Sequence, residues 1–186
     1  MDFDGLINDA TKLTAKLADE VLATNYSPQN KITMLTIVFI RTGRFFATKL
    51  ANDVSAVFGS EHLTTKPDYG SMAQIGSLAL KMTRNSAFGV SAEEIARDYF
   101  TNIYARNVEQ AFKNANSLGK RPTITRRITD RDHCDWCVAR AGTFAAKTFS
   151  ELPTEVFRRH LGCKCEILLS GPGGKSRSLN NYVKKG

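Results

Sequence analysis

The sequence lacks a hydrophobic run long enough to cross a membrane. The longest apolar stretch, residues 34–40, ends at Arg41, whereas a membrane-spanning helix needs about 20 apolar residues. The sequence also lacks the basic start of a secretory signal, because its first residues are acidic and no small-residue cleavage site follows an apolar run. We therefore expect a protein that is kept in a reducing cytoplasm after synthesis and has no membrane partner.

Cysteine is scarce, with four in 186 residues, and all four lie within residues 134–165. They form two close pairs, Cys134-x-x-Cys137 and Cys163-x-Cys165, and His160 stands three residues before the second pair. Disulfides are rare in a reducing cytoplasm, where close cysteine pairs more often bind metal or carry redox chemistry. Two thiol pairs with 25 residues between them have the spacing of a zinc clasp, in which each pair lies on its own turn.

A structural zinc site takes four Cys or His ligands in a tetrahedron. This stretch offers five candidates: Cys134, Cys137, His160, Cys163 and Cys165. The site would therefore use four cysteines, or three cysteines with His160, and the sequence leaves this choice open. Zinc would be a structural cofactor whose binding contributes folding free energy on the order of 10 kcal/mol. We expect Trp136 to pack over this clasp.

Three other interpretations of the cysteines stay open. A redox dithiol at Cys134 and Cys137 fits the spacing, but the strand and helix that usually flank such a motif are missing and the second pair stays unexplained. Paired disulfides would suit a particle that leaves the cell. A nucleophilic cysteine acting with His160 is the weakest, because no orienting third group can be named. We favour the structural clasp and expect no enzymatic activity.

Positive charge is concentrated at one end of the chain. The net charge is +8, and residues 120–186 hold 14 of the 26 Lys and Arg but only 6 of the 18 Asp and Glu, whereas residues 1–119 are neutral. Such asymmetry is typical of a protein that contacts a polyanion with one end. The residues expected to contact phosphates of double-stranded DNA without base specificity are Arg126, Arg127, Arg131, Arg158, Arg159 and Lys164. Alternatively, several of them pair with Asp130, Asp132 and Glu155 on a solvated surface.

Hydrophobic periodicity predicts an α+β protein with an N-terminal helical bundle. Residues 1–119 form the helical domain, with predicted helices over residues 4–25, 28–58, 71–82 and 91–118. Ser91 and Glu94 have the spacing of a capping box at the start of the last helix.

A small β-rich module clasped by the cysteines and histidine follows over residues 120–169. We expect strands at residues 123–129 and 165–169 and a helical turn over residues 152–159, whereas residues 138–146 fit a short helix or a turn and strand equally well. Residues 170–186 are basic and rich in Gly and Ser, which predicts a flexible tail.

The order of residues in the cysteine stretch resembles a known family. Asp132-x-Cys134-x-x-Cys137 is followed by Ala141-Gly142-x-Phe144, by Pro153 and by His160-x-x-Cys163-x-Cys165 before an apolar strand. This order resembles the C-terminal signature of tailed-phage minor head proteins of the Mu F-like head morphogenesis family. The resemblance covers roughly residues 121–169. The chain departs from the pattern with Lys164 where arginine is usual, and it lacks the proline that often follows the histidine.

The resemblance implies a minor capsid protein inside the phage head, made in the host bacterial cytoplasm. It implies partners at the portal vertex, namely the portal protein and the major capsid or scaffold proteins, and a role in head assembly and in DNA packaging or ejection. It carries no catalytic activity with it. The alternatives from the residues are a free-standing zinc-dependent nucleic-acid-binding protein and, less well supported, a CxxC dithiol oxidoreductase.

Overall fold

The fold was analysed in a computed structural model. It describes residues 3–57, 67–84, 89–128, 135–145, 149–153, 156, 165–171 and 176–178. Two of the five predicted metal ligands, Cys137 and Cys165, are among these residues, and Cys134, His160 and Cys163 are outside them.

Four long helices make up the N-terminal part, as the hydrophobic periodicity predicts. They are α1 (Phe3–Leu22), α2 (Pro28–Val57), α3 (Met72–Thr83) and α4 (Ala92–Ser117). α1 packs against α2 and α4, and α2 also packs against α3 and α4. α4 is central, because most of its apolar side chains are buried along its whole length.

Capping boxes fix the starts of α3 and α4. Ser91 accepts a hydrogen bond from the backbone N–H of Glu94, and the Glu94 side chain accepts one from the Ser91 backbone N–H, which confirms the predicted box. Ser71 and Gln74 form the same reciprocal pair before α3. Each box satisfies backbone donors that the first helical turn leaves without partners.

A four-stranded antiparallel sheet follows the helices. Its strands are β1 (Thr123–Arg127), β2 (Gly142–Ala145), β3 (Glu166–Ser170) and β4 (Ser176–Ser178), in the order β2-β1-β3-β4. The combination of helices with a small antiparallel sheet confirms the α+β class.

The sheet packs against the helices through alternate residues of its strands. Ile124 of β1 and Ile167 and Leu169 of β3 are fully buried and belong to the same hydrophobic core as the helices. The buried hydroxyl of Tyr104 in α4 donates a hydrogen bond of 3.0 Å to the carbonyl oxygen of Ile167. The position of β3 relative to α4 is therefore fixed by both packing and a buried hydrogen bond.

The structure describes parts of three segments whose conformation was predicted only loosely from the sequence. For residues 138–145 the structure has the turn and strand, because a short helix, α5 (Asp135–Val138), ends at Val138 and β2 follows after a turn. β4 lies in the segment predicted to be a flexible tail. It needs no apolar side chains of its own, because its backbone pairs with β3. The predicted turn over residues 152–159 lies mostly outside the described residues, and a short 3₁₀ helix, Phe149–Glu151, precedes it.

Within the part of the chain that the structure describes, no helix is both long and apolar enough to cross a membrane.

Candidate metal centre and nucleic-acid interface

The sheet brings both cysteine-bearing segments to one of its ends. In β1, Arg126 lies opposite Gly142 of β2, and Arg127 lies opposite Glu166 of β3. Because both pairings are antiparallel, the last residues of β1 and the first residues of β2 and β3 share an end of the sheet. The connection from β1 to β2 contains Cys134 and Cys137, and Cys163 and Cys165 lie immediately before β3.

The two described thiols are shielded from solvent. Cys137, in α5, and Cys165, directly before β3, are each only 3% exposed. Buried thiols at one end of a small sheet fit the donor set of a structural zinc site, which is closed to water. Among the described residues, no group of three or more Cys, His, Asp or Glu side chains gathers in a metal-binding arrangement.

Arg126 does not belong to the candidate phosphate contacts. Its side chain is fully buried, donates a hydrogen bond of 3.0 Å to the carbonyl oxygen of Val156, and lies 5.0 Å from the ring centroid of Trp136. In this arrangement the guanidinium group is not exposed to a phosphate, which argues against the predicted contact of Arg126 with DNA. The alternation of β1 already held the signal, since Ile124 and Arg126 lie two residues apart and share a face.

Trp136 contacts a second guanidinium group. Arg140 lies 4.0 Å from the Trp136 ring centroid and donates a hydrogen bond of 3.1 Å to the Trp136 carbonyl oxygen. Cation–π contacts of this kind stabilise by roughly 0.5–2 kcal/mol, with the larger values in desolvated surroundings. Trp136 is half-buried, and Cys137 follows it in the chain.

Arg127 is the predicted DNA contact that the structure places on the surface. It is exposed, and its position in β1 turns it to the face opposite Arg126. The other four predicted contacts, Arg131, Arg158, Arg159 and Lys164, lie outside the described residues. Arg121, two residues before β1, is also exposed and adds a cation that the sequence analysis did not single out.

A second surface that the sequence analysis missed lies on α2. Met34, Ile37 and Phe45 are 40%, 38% and 67% exposed, and Arg41 and Arg44 are exposed between them. Met34 and Ile37 are three residues apart, Ile37 and Arg41 four, and Ile37 and Phe45 eight. These spacings place them on the same side of the helix. Helical periodicity alone predicted α2 without showing that part of its apolar surface stays outside the core.

No family model matches the chain, and no curated protein or solved structure matches it either.

Proposed function

We propose that the chain is a minor capsid protein of a tailed bacteriophage. It would lie inside the head near the portal, contribute to head assembly and to DNA packaging or ejection, and contact DNA without sequence specificity. The order of the Cys, Gly, Pro and His residues in residues 132–165 carries this proposal. The antiparallel sheet supports it, because it brings the two ends of that motif to the same place.

The cysteine motif would act as a structural zinc clasp. Its ligands would be four of the five residues Cys134, Cys137, His160, Cys163 and Cys165, and bound zinc would supply a crosslink between the β1–β2 connection and the start of β3. The burial of Cys137 and Cys165 supports a structural role over a redox role, because exchange-active thiols need access to their partners.

The basic C-terminal part would face the packaged genome. Exposed Arg121 and Arg127 and the surplus of Lys and Arg in residues 120–186 favour phosphate contact, which requires no base readout. Inside a head filled with DNA, non-specific contact of this kind is sufficient. The helical part would then be available to the portal and the capsid or scaffold proteins.

The decisive experiment is mass spectrometry of phage particles purified from cells infected by the phage that encodes this chain. We expect the chain at low copy number relative to the major capsid protein. The nonstructural replication proteins of the same phage serve as the purification control. Absence of the chain from both heads and procapsids would overturn the proposal.

A free-standing zinc-dependent nucleic-acid-binding protein is the second candidate, favoured by the same charge asymmetry. In that case the isolated protein would bind duplex DNA, and log K would fall with log salt concentration at about 0.9 per phosphate contacted. Binding by the isolated protein together with absence from particles would favour this candidate over the capsid protein.

The dithiol oxidoreductase has less support. It requires a reactive Cys134 or Cys137, and Cys137 is buried. If neither thiol of the reduced, metal-free protein reacts with iodoacetamide under native conditions, this activity is excluded.

A further inference from the structure

A fully buried arginine is an uncommon choice at the end of this sheet. Arg126 is the largest of the fully buried side chains among the described residues. An arginine stays charged at all physiological pH values, and removing its charge from water is costly unless the surroundings compensate it. The compensating contacts of Arg126 therefore indicate what its burial achieves.

The described contacts of Arg126 join β1 to four other parts of the chain. The guanidinium group lies over the ring of Trp136 in α5 and donates a hydrogen bond to the carbonyl oxygen of Val156. Its backbone pairs with Ile167 of β3 on one side and with Gly142 of β2 on the other. One residue thus connects β1 to both neighbouring strands, to α5 and to the segment that precedes β3.

Two of these parts carry the described cysteines. Trp136, whose ring Arg126 contacts, is followed directly by Cys137. Cys165, Ile167 and Leu169 are every second residue and are all buried, so Cys165 lies on the same face as Ile167. Because Ile167 is directly opposite Arg126, Cys165 is a diagonal neighbour of Arg126. Diagonal neighbours in antiparallel sheets are about 7–8 Å apart, within reach of a long side chain.

We infer that Arg126 and Trp136 form a latch that positions Cys137 and Cys165 relative to each other, and that Arg126 is a positioning residue for the thiol ligands. This inference rests on the proposed zinc clasp. Three or four thiolates around one Zn²⁺ leave a net negative charge, which the permanent charge of a nearby guanidinium offsets. Partners that orient the ligands of a metal site typically change its metal affinity by 10-fold to 100-fold when they are lost.

Two neighbouring arginines provide a matched test. Arg126→Met removes the buried charge and the hydrogen bond while keeping a long apolar side chain, and Arg127→Met makes the same change on the exposed face. Zinc content is measured by elemental analysis of the purified full chain, and zinc release is followed with a chromogenic chelator. The emission of Trp136, the only tryptophan in the chain, reports on the latch and is recorded both with zinc and after its removal.

For Arg126→Met we expect zinc release about 10-fold to 100-fold faster than in the wild type, with red-shifted and more easily quenched Trp136 emission. Arg127→Met should leave both readouts unchanged and weaken DNA binding instead. If Arg126→Met does not fold, Arg126→Lys is used: it keeps the charge but loses the planar guanidinium group, and we expect release at an intermediate rate. Zinc release equal to that of the zinc-bound wild type in the folded Arg126 variant would overturn the inference.

The two proposals fail differently in this experiment. Wild-type protein without zinc would overturn the metal clasp. The latch would then be judged on Trp136 emission alone. A red shift in the Arg126 variant and none in Arg127→Met would support it, and equal spectra in the wild type and both variants would overturn it. If zinc is retained by the wild type and by both variants at equal release rates, the clasp stands and the latch falls.

Discussion

The hydroxyl group of Tyr99 in α4 occupies the place where a side chain at position 43 of α2 would begin. A Cβ built on Gly43 would overlap the Tyr99 oxygen and would lie 2.9 Å from the ring carbon Cζ. The same hydroxyl is 2.8 Å from the carbonyl oxygen of Tyr69 and 3.0 Å from that of Phe39. Glycine at position 43 thus allows one buried side chain to join α2, α4 and the segment that precedes α3.

Gly43→Ala should destabilise the protein, although alanine is the better helix former. Tyr99 must move, and its hydrogen bonds to Tyr69 and Phe39 are disturbed, so we expect a loss of about 1–3 kcal/mol in the free energy of unfolding. Gly76→Ala in α3 is the matched control, since no atom lies within 4 Å of its added Cβ, and it should gain roughly 0.5–1 kcal/mol. Urea denaturation of both variants tests this, and equal stability changes would contradict it.

Tyr99 should also make the protein sensitive to alkali. Burial is the main cause that raises the pKa of Tyr99 above its usual range, and the nearby Arg106 opposes this shift. The pKa of Tyr99 is higher in the folded than in the unfolded chain, so the neutral, buried phenol stabilises the folded state. This contribution to the free energy of unfolding is complete below about pH 10, the ordinary tyrosine pKa, and is lost as the pH rises above it.

Stability measured between pH 8 and pH 11 should therefore fall more steeply in the wild type than in Tyr99→Phe. Tyr26→Phe is the control, because Tyr26 is 53% exposed and should keep the wild-type profile. Parallel profiles for the wild type and Tyr99→Phe would show that Tyr99 does not cause the alkaline loss.

The capping box of α4 should respond to acid, whereas that of α3 should not. Hydrogen bonds from the backbone N–H and the hydroxyl of Ser91 lower the pKa of Glu94. The ionised Glu94 side chain thus stabilises the folded state above the pKa of glutamate in the unfolded chain, about 4.3. This contribution is lost as the pH falls below that value. Gln74 takes the same position in the α3 box and has no charge to lose.

Ser71→Ala should cost about 1 kcal/mol at both pH 7 and pH 3, whereas the cost of Ser91→Ala should shrink at pH 3. Thermal denaturation of the two variants at both pH values measures the difference. A cost of Ser91→Ala that is the same at both values would rule out a contribution from the Glu94 charge.

Substitution of the buried cysteines should remove the proposed metal. The reduced wild type should hold about one zinc per chain, and Cys137→Ser and Cys165→Ser should each hold little. Val138→Ser is the control, because Val138 adjoins Cys137 but is 46% exposed. Retention of zinc by one cysteine variant would remove that residue from the ligand set, and retention by both would contradict the clasp.

The helical part was predictable because its signals are local. The apolar periodicity of the four helices and the Ser91–Glu94 spacing each act within a few turns of chain, and the structure has helices where they were predicted. The α3 box escaped notice because Gln74 is a neutral member of the motif. The role of Gly43 could not be predicted, since it depends on Tyr99, which is 56 residues away in the chain.

The candidate site was less predictable because its arrangement depends on strand pairing. The cysteine spacing indicated a clasp, but only the order β2-β1-β3-β4 brings the cysteine-bearing segments to a common end. Arg126 was assigned by its charge to the surface, whereas the alternation of β1 buries it. β4 was missed because residues 176–178 carry no apolar pattern, whereas the strand is defined by its pairing with β3.

The two consecutive arginines of β1 affect how strongly the sequence specifies the register of strand pairing in the sheet. A slip of one residue in strand pairing exchanges the two faces of a strand, and here it would replace Arg126 by Arg127 on the buried face without changing the chemistry there. Ile124 contributes to the distinction between the two arrangements, because the slip would turn it towards solvent and bury Thr125. A threonine at position 124 would therefore narrow the difference in free energy between the two pairings and favour a second folded state of the cysteine-bearing end.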